Sequence, residues 1–365
     1  MLKRLHLRNF TVFEDADFEF GPGLNVLVGA NGTGKSHVLK VGYTLLYDLL
    51  HTIQASAKDR QLDLENAHKN LQEARARLAS KLINVFQPAP FWTNELMRRG
   101  SSDTGSGASI YFGFSTYDFG NAILLQTNAN AELDKTWPSK IESHFRFTDP
   151  VFIPAKEVLT QGWLLPLYDR REIPIDETYP DLLRLLMGPP LRQPEPTHII
   201  EKLQQLIGGK VEEEGGHFYL SAPDQPRMEM NLVAEGFRKF ATLYKLLANG
   251  TLTPETTLFW DEPEANLNPA LLKDMAAVLA ELARAGFQII LATHSLFLLK
   301  ELHILSQQAP LPIKYFGLSA DNGGPTRVAT ADNLELLPDI VALDAELDQS
   351  DRFQRVLDQE DADGN

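Results

Sequence analysis

An α/β fold with a mixed sheet and a helical insertion is what this sequence predicts, on three observations. Gly29-Ala30-Asn31-Gly32-Thr33-Gly34-Lys35-Ser36 fits the GxxxxGK[ST] pattern, between an apolar run at 24–28 and a helical stretch from 35 to about 50. A second apolar run, Leu258-Phe259-Trp260, ends in the adjacent carboxylates Asp261 and Glu262. From residue 232 onward, strand-like and helix-like segments alternate. A strand, a glycine-rich loop and a helix in that order predict the phosphate-loop NTPase class.

The elements follow in order. Residues 2–8 and 12–20 alternate apolar and polar side chains like half-buried strands, and Gly21-Pro22-Gly23 turns the chain into the strand before the loop. Residues 54–85 hold no Gly or Pro and read as one helix, with Leu64, Leu71, Leu78 and Val85 seven residues apart. Lys81 interrupts the seam. Such an arm lies along its own domain or protrudes to pair with another. Pro88-Ala89-Pro90 stops it, and 101–107 is expected to be a flexible loop. Strand character returns at 109–114, 122–126, 151–153 and 217–220, and residues 176–209 read as helix broken by Gly188-Pro189-Pro190. A helix is expected from Leu232 to about Asn249, strands at 258–260 and 288–292, a helix from Pro269, and strands at 314–318 and 327–330. The predicted organisation is a core from 1–50 and 226–335, an insertion at 51–225 that partly joins the core sheet, and an acidic tail at 336–365.

Composition narrows the class. With no cysteine among 365 residues, disulfides and thiolate metal sites are excluded, which fits a reducing, cytoplasmic location. No run approaches the length of a membrane span, and no signal-peptide pattern opens the chain. The net charge is −15, and residues 339–365, with nine acids and two bases, supply −7 of it. Direct, non-specific nucleic-acid binding is therefore not favoured. The tail reads as a solubilising terminus or a docking segment.

Each residue type in the loop has a physical task. The glycines let successive N–H groups turn toward phosphate oxygens, and the following helix adds its positive end. Lys35 reaches the β- and γ-phosphates, and the Ser36 hydroxyl ligates Mg²⁺. Asp261 is the second candidate for the Mg²⁺ shell, and Glu262 is placed to orient and deprotonate an attacking water. His294 follows the apolar strand 288–292 and is expected on the same sheet edge, within reach of the γ-phosphate. ATP and Mg²⁺ are the expected cofactors.

The combination resembles the ABC-type ATPase heads of the SMC and RecF class. Leu5-His6-Leu7-Arg8-Asn9-Phe10 looks like that class's opening strand and nucleotide-facing turn, which puts Asn9 and Phe10 at the nucleotide with Gly29, Ala30, Asn31, Gly32, Thr33, Gly34, Lys35 and Ser36. Glu262 takes the catalytic glutamate position, His294 the switch histidine, and Ala265-Asn266-Leu267-Asn268-Pro269 the segment by which two heads touch. Phe152-Ile153-Pro154-Ala155-Lys156-Glu157 and Leu232-Val233-Ala234-Glu235-Gly236-Phe237-Arg238-Lys239 are similar to compact bacterial ATPases of overcoming-lysogenization-defect and PARIS- or Septu-like anti-phage systems. The resemblance covers both ends of the chain well and 51–225 poorly.

The resemblance implies an ABC-ATPase-like head that hydrolyses ATP, pairs head to head with a second copy and acts through a separate effector protein. One stretch departs from it. The Ser-Gly-Gly signature that would touch the partner's γ-phosphate is replaced by Ala234-Glu235-Gly236. Glu235, Gly236 and Arg238 are the residues expected there, with Arg238 or Lys239 offsetting the glutamate's charge. The rival readings are a DNA-repair or chromosome-maintenance ATPase that binds DNA directly, and a nucleotide sensor that does not hydrolyse.

Overall fold

The computed structural model describes residues 1–58, 64–89, 93–98, 108–114, 117–125, 131–133, 148–170, 173–321, 324–337, 349 and 351–356. The loop expected at 101–107 and most of the acidic tail lie outside the described residues.

The chain begins with strands β1 (Leu2–Phe10), β2 (Phe13–Glu19) and β3 (Leu24–Gly29), then helices α1 (Lys35–Lys58) and α2 (Leu64–Phe86). Next come β4 (Ala108–Phe114), β5 (Tyr117–Leu125), β6 (Ala131–Leu133) and β7 (Val151–Ile153), then α3 (Leu164–Asp169), α4 (Thr178–Leu186) and α5 (Thr197–Ile207). A small meander of β8 (Lys210–Glu214), β9 (His217–Ser221) and β10 (Met228–Glu229) precedes α6 (Glu235–Ala248). The remainder is β11 (Thr257–Asp261), α7 (Pro269–Arg284), β12 (Gln288–Thr293), α8 (Leu296–Gln308), β13 (Ile313–Ala320) and β14 (Thr326–Ala331).

Two sheets organise these elements. The main one has the order β14-β13-β3-β12-β11-β7, parallel except for β14 at one edge. The other is antiparallel, in the order β2-β1-β4-β5-β6. Side chains of the central parallel strands alternate between two cores, as a sheet covered on both faces requires. Leu258 and Trp260 of β11, Ile289 and Leu291 of β12, and Val26 and Val28 of β3 face a core shared with α4 to α8. Phe259, Ile290, Ala292 and Leu27 face the opposite way, into a core closed by α1 and the antiparallel sheet.

One buried amide joins the sheets. The Gln288 side chain, 1% exposed, accepts from the Leu2 N–H at 2.9 Å and donates to the Leu2 and Gly21 carbonyls at 2.7 and 2.9 Å. It also accepts from the Thr257 hydroxyl at 2.8 Å. All its hydrogen-bonding capacity is used, which is what lets a polar group sit there without penalty.

The insertion corrects the expectation of one helix over 54–85. Residues up to Lys58 continue α1, and α2 starts at Leu64. The two helices run antiparallel: Lys40 Nζ donates to the Val85 carbonyl at 3.0 Å, and Arg77 Nε lies 3.7 Å from Asp48. Leu78, Leu82 and Val85 are fully buried, so the root of the arm packs on its own domain. Lys81, the residue that breaks the heptad, is buried too. It is stabilised by an ion pair with Asp181 of α4, by Glu177 at 3.5 Å, and by the Tyr47 ring, whose centroid is 3.7 Å from Nζ. Strand β8 was not expected, because only Val211 in its charged sequence is buried. Helices α4 and α5 fall on either side of the Gly188-Pro189-Pro190 break. Among the described residues, no helix is long and apolar enough to cross a membrane.

Candidate nucleotide site

The phosphate loop leaves β3 at Gly29 and enters α1 at Lys35. β12 pairs with β3 and β11 pairs with β12, all in the same parallel direction, so the C-terminal ends of the three strands open on the same crevice. That places Asp261 and Glu262, at the end of β11, and His294, just after β12, across from the loop.

Backbone geometry fixes the loop. Gly34 has φ +89°, and a Cβ there would lie 2.6 Å from Val12 and 2.8 Å from the Phe13 ring. Only glycine accepts both the left-handed backbone and the close approach of the β1–β2 turn. The first N–H groups of α1 have no intrahelical acceptors and form the anion-binding end of the helix. Lys35 is 6% exposed, and its Nζ donates to the Gly29 and Ala30 carbonyls at 2.8 and 3.0 Å. Burial lowers its pKa, opposed by the charges of Glu262, Asp261 and Glu264.

The opposite wall is acidic. Burial pushes the Asp261 carboxyl above its ordinary value, although it accepts a hydrogen bond from the Ser36 hydroxyl and lies near Lys40 and Lys35. A hydroxyl and a carboxylate in contact, with excess negative charge confined beside an anion cradle, are the hard oxygen donors that Mg²⁺ takes alongside phosphates and water. The pair thus fits the ion.

Glu262 has φ +48°, a left-handed conformation costly for a residue with a side chain. Its N–H donates to the Ala292 carbonyl at 2.9 Å, and its carboxylate lies 3.3 Å from His294 Nδ1. Both side chains are partly open to solvent. Glu264 supports the histidine from beneath: it is 7% exposed and accepts from the Thr293 hydroxyl at 2.6 Å and the His294 N–H at 3.1 Å. Sequence reasoning gave Glu264 no role. Glu264 lies in the turn that follows β11, where strand alternation no longer indicates which way a side chain points.

Two expected residues sit differently. Phe10 is fully buried, edge-on to Phe86, and does not present its ring to the crevice. Left-handed backbones at Asn9 (φ +52°) and Thr11 (φ +49°) turn it inward. Asn9 is 8% exposed, and its carbonyl accepts from the Arg98 N–H at 2.9 Å. What the turn does present is a hollow of about 450 Å³ lined by Thr11, Val12, His37, Phe86, Leu96 and Met97, among others. Thr11 Oγ1 and His37 Nδ1 are buried and lack hydrogen-bond partners among the described residues, and burial lowers the His37 pKa to about 4. His37 was missed, though it follows Ser36 directly.

Arg238 is the second. Its guanidinium donates to Glu157 at 2.7 Å and to the Val233 carbonyl at 2.7 Å, so its charge is spent within its own chain. Glu235 is likewise engaged, accepting from the Asn266 amide at 2.7 Å. Gly236 packs close to Leu267 and Leu271.

Residues 24–300 match the model of the family described as "AAA domain, putative AbiEii toxin, Type IV TA system". The chain belongs to this AAA-domain family. A second AAA-domain model matches residues 4–41 of the same domain. Over 44 residues the chain is 54% identical to the DNA replication and repair protein RecF of Edwardsiella ictaluri, and equally so to that of Citrobacter koseri. Each stretch covers 12% of this chain and 12% of the relative, so the match is confined to a small part of both. The fold is that of an SMC head. The SMC head domain from Thermotoga maritima superposes with TM-score 0.50 at 15% identity, covering 91% of this chain and 99% of that one. An Smc head bound to the C-winged helix domain of ScpA superposes with TM-score 0.51 at 14% identity, over 92% and 98%.

Proposed function

We propose that this AAA domain is an ATP-driven switch that binds ATP with Mg²⁺ in the crevice and hydrolyses it. The observation that carries this reading is the meeting of the phosphate loop with Asp261 and Glu262 at the C-terminal edge of one parallel sheet, where the Ser36 hydroxyl bonds to Asp261. On binding, Lys35 exchanges its two loop carbonyls for phosphate oxygens, while the N–H groups of the loop and of early α1 hold the rest of the chain of phosphates. Ser36 and Asp261 would hold Mg²⁺, which neutralises developing phosphate charge. Glu262 accepts the proton of a water placed against the γ-phosphate, and His294, beside it, donates toward that phosphate. The hollow beside His37 is of the size class that accepts a nucleoside.

Two variants test the reading. Lys35→Ala should weaken ATP binding by about 100-fold or more, measured by calorimetry. Glu262→Gln should keep ATP affinity and lose about 100- to 1,000-fold in turnover, the range of a removed general base. Wild-type affinity in the first or wild-type turnover in the second would sink it.

A second copy closing over the nucleotide is the natural complement of a crevice whose γ-phosphate side is open. With Glu235 and Arg238 tied within the chain, the backbone at Gly236 and the N-terminal N–H groups of α6 are what this domain offers a partner's phosphate. The output would pass to a separate effector protein, as in an anti-phage or related system; the family's description names a toxin–antitoxin system, a two-protein arrangement of the same general kind. Copurification of a second protein with Glu262→Gln, but not with Lys35→Ala, is the expected result.

A second reading is direct DNA contact, favoured by the RecF match and by the solvent face of β1. There Arg8 and Lys314 border a hollow of about 780 Å³. Arg4 and His6 on that face are paired with Asp17 and Asp15, at 2.6 and 2.8 Å, which weakens its positive field. Duplex binding that falls steeply with salt and is lost in Arg8→Glu would favour this reading.

A further inference from the structure

The end of α6 and the turn that follows Glu262 are locked together at three points. Glu235 accepts from Asn266, Gly236 packs on Leu267 and Leu271, and Lys239 Nζ donates to the carbonyls of Glu262 and Pro263 at 2.8 and 3.4 Å. The third point differs in kind from the others. Lys239 is 3% exposed, surrounded by the charges of Glu264, Glu235, Glu262 and Asp261, yet among the described residues its hydrogen bonds go to main-chain oxygens and to no carboxylate. Glu262 needs such a hold. Its left-handed backbone is costly, and a residue in that region persists only where its surroundings over-determine it. The Ala292 carbonyl fixes its N–H side; Lys239 and the Ala265 N–H, at 3.1 Å, fix its carbonyl side.

We infer that Lys239 is a positioning residue for Glu262: from one turn inside α6 it clamps the Glu262–Pro263 main chain and so aims the carboxylate at the attacking water. It follows that whatever docks at the N-terminus of α6 acts on the hydrolytic carboxylate of the same chain, Lys239 being the contact that reaches the Glu262 main chain itself. Glu235 then has a role that explains its departure from a Ser-Gly-Gly signature: it binds α6 to the turn through Asn266. This inference rests on the reading of Glu262 as the general base.

The test is turnover and ATP affinity of the full chain carrying Lys239→Met, Lys239→Arg, Glu262→Gln and the Lys239→Met/Glu262→Gln pair. Lys239→Met should lower kcat at least tenfold with the ATP Kd changed by less than about twofold. Lys239→Arg, which keeps N–H donors at that reach, should restore most of the loss. The paired variant should turn over no more slowly than Glu262→Gln alone, because Lys239 acts only through that carboxylate. If Lys239→Met fails to fold, Lys239→Gln is read in its place with the same expected split, its amide being too short to reach the carbonyls. Wild-type kcat in the folded variant, loss of kcat and affinity in step, or additive losses in the pair would each overturn the inference. Wild-type turnover in Glu262→Gln would instead remove the reading beneath it.

Discussion

Two buried lysines each grip two consecutive carbonyls of a strand-ending turn, one in the phosphate loop and one after β11. Lys35 holds Gly29 and Ala30, six and five residues back in its own loop. Lys239 holds Glu262 and Pro263, more than twenty residues away, on a different element. The first grip is local, so the side chain can swing to a ligand without moving the fold. The second joins a helix to a turn, so releasing it moves a backbone. One side of the crevice is built to receive phosphate, and the other is built to be held until something docks.

Three changes separate the sides. The largest effect is expected on the receiving side. Gly34→Ala puts a Cβ against Val12 and Phe13 on a left-handed backbone, and should destabilise by about 2–4 kcal/mol while abolishing measurable ATP binding. Thermal melting with and without Mg-ATP reads both effects; a ligand-induced shift that survives would break the comparison. Next is the held side. Glu157, with its side chain 7% exposed, accepts from Arg238 at 2.7 Å and from the Thr160 hydroxyl at 2.5 Å. Glu157→Ala leaves Arg238 half-buried without its carboxylate partner, at a cost of about 2–3 kcal/mol, with ATP affinity unchanged. Denaturant unfolding and calorimetry check it, and a parallel fall in affinity would merge the two sides.

The smallest effect lies at the arm root, outside both. Burial raises the Asp48 carboxyl from 3.8 to about 7, against the pull of Arg77. Between those values the folded state keeps a proton that the unfolded chain has released, so stability falls as pH rises through this window and levels off above it. Asp48→Asn should therefore gain about 1–2 kcal/mol at pH 8 and nothing at pH 4, with ATP affinity unmoved. A gain of equal size at both pH values would refute the burial account.

The parts of the site that were legible in the sequence are those whose residue types are dictated locally. The loop needs glycines and a lysine at fixed spacing, and β11 and β12 announce themselves as apolar runs ending in polar groups. Asn268 with Pro269 marks the start of α7, and its side chain does accept from the Leu271 N–H at 3.0 Å. Ser295 likewise caps α8, a helix the pattern alone left unassigned because its apolar residues surround most of its circumference. What could not be read were pairings between distant segments. Nothing in the order of residues says that Arg238 meets Glu157, that Lys81 finds Asp181, or that 54–58 completes one helix while 64–86 starts another. Phe10 was expected at the nucleotide from the family resemblance alone, and the left-handed backbones of Asn9 and Thr11 that turn its ring inward leave no mark in the residue pattern.

The Gln288 amide has a consequence in exchange kinetics. Leu2 is the first residue of β1, and strand ends are where amide hydrogens open to solvent exchange most easily. Here its N–H points at a fully buried acceptor between two sheets. Its deuterium uptake should be as slow as that of the central strands, and Gln288→Leu should make it fast while those strands stay protected.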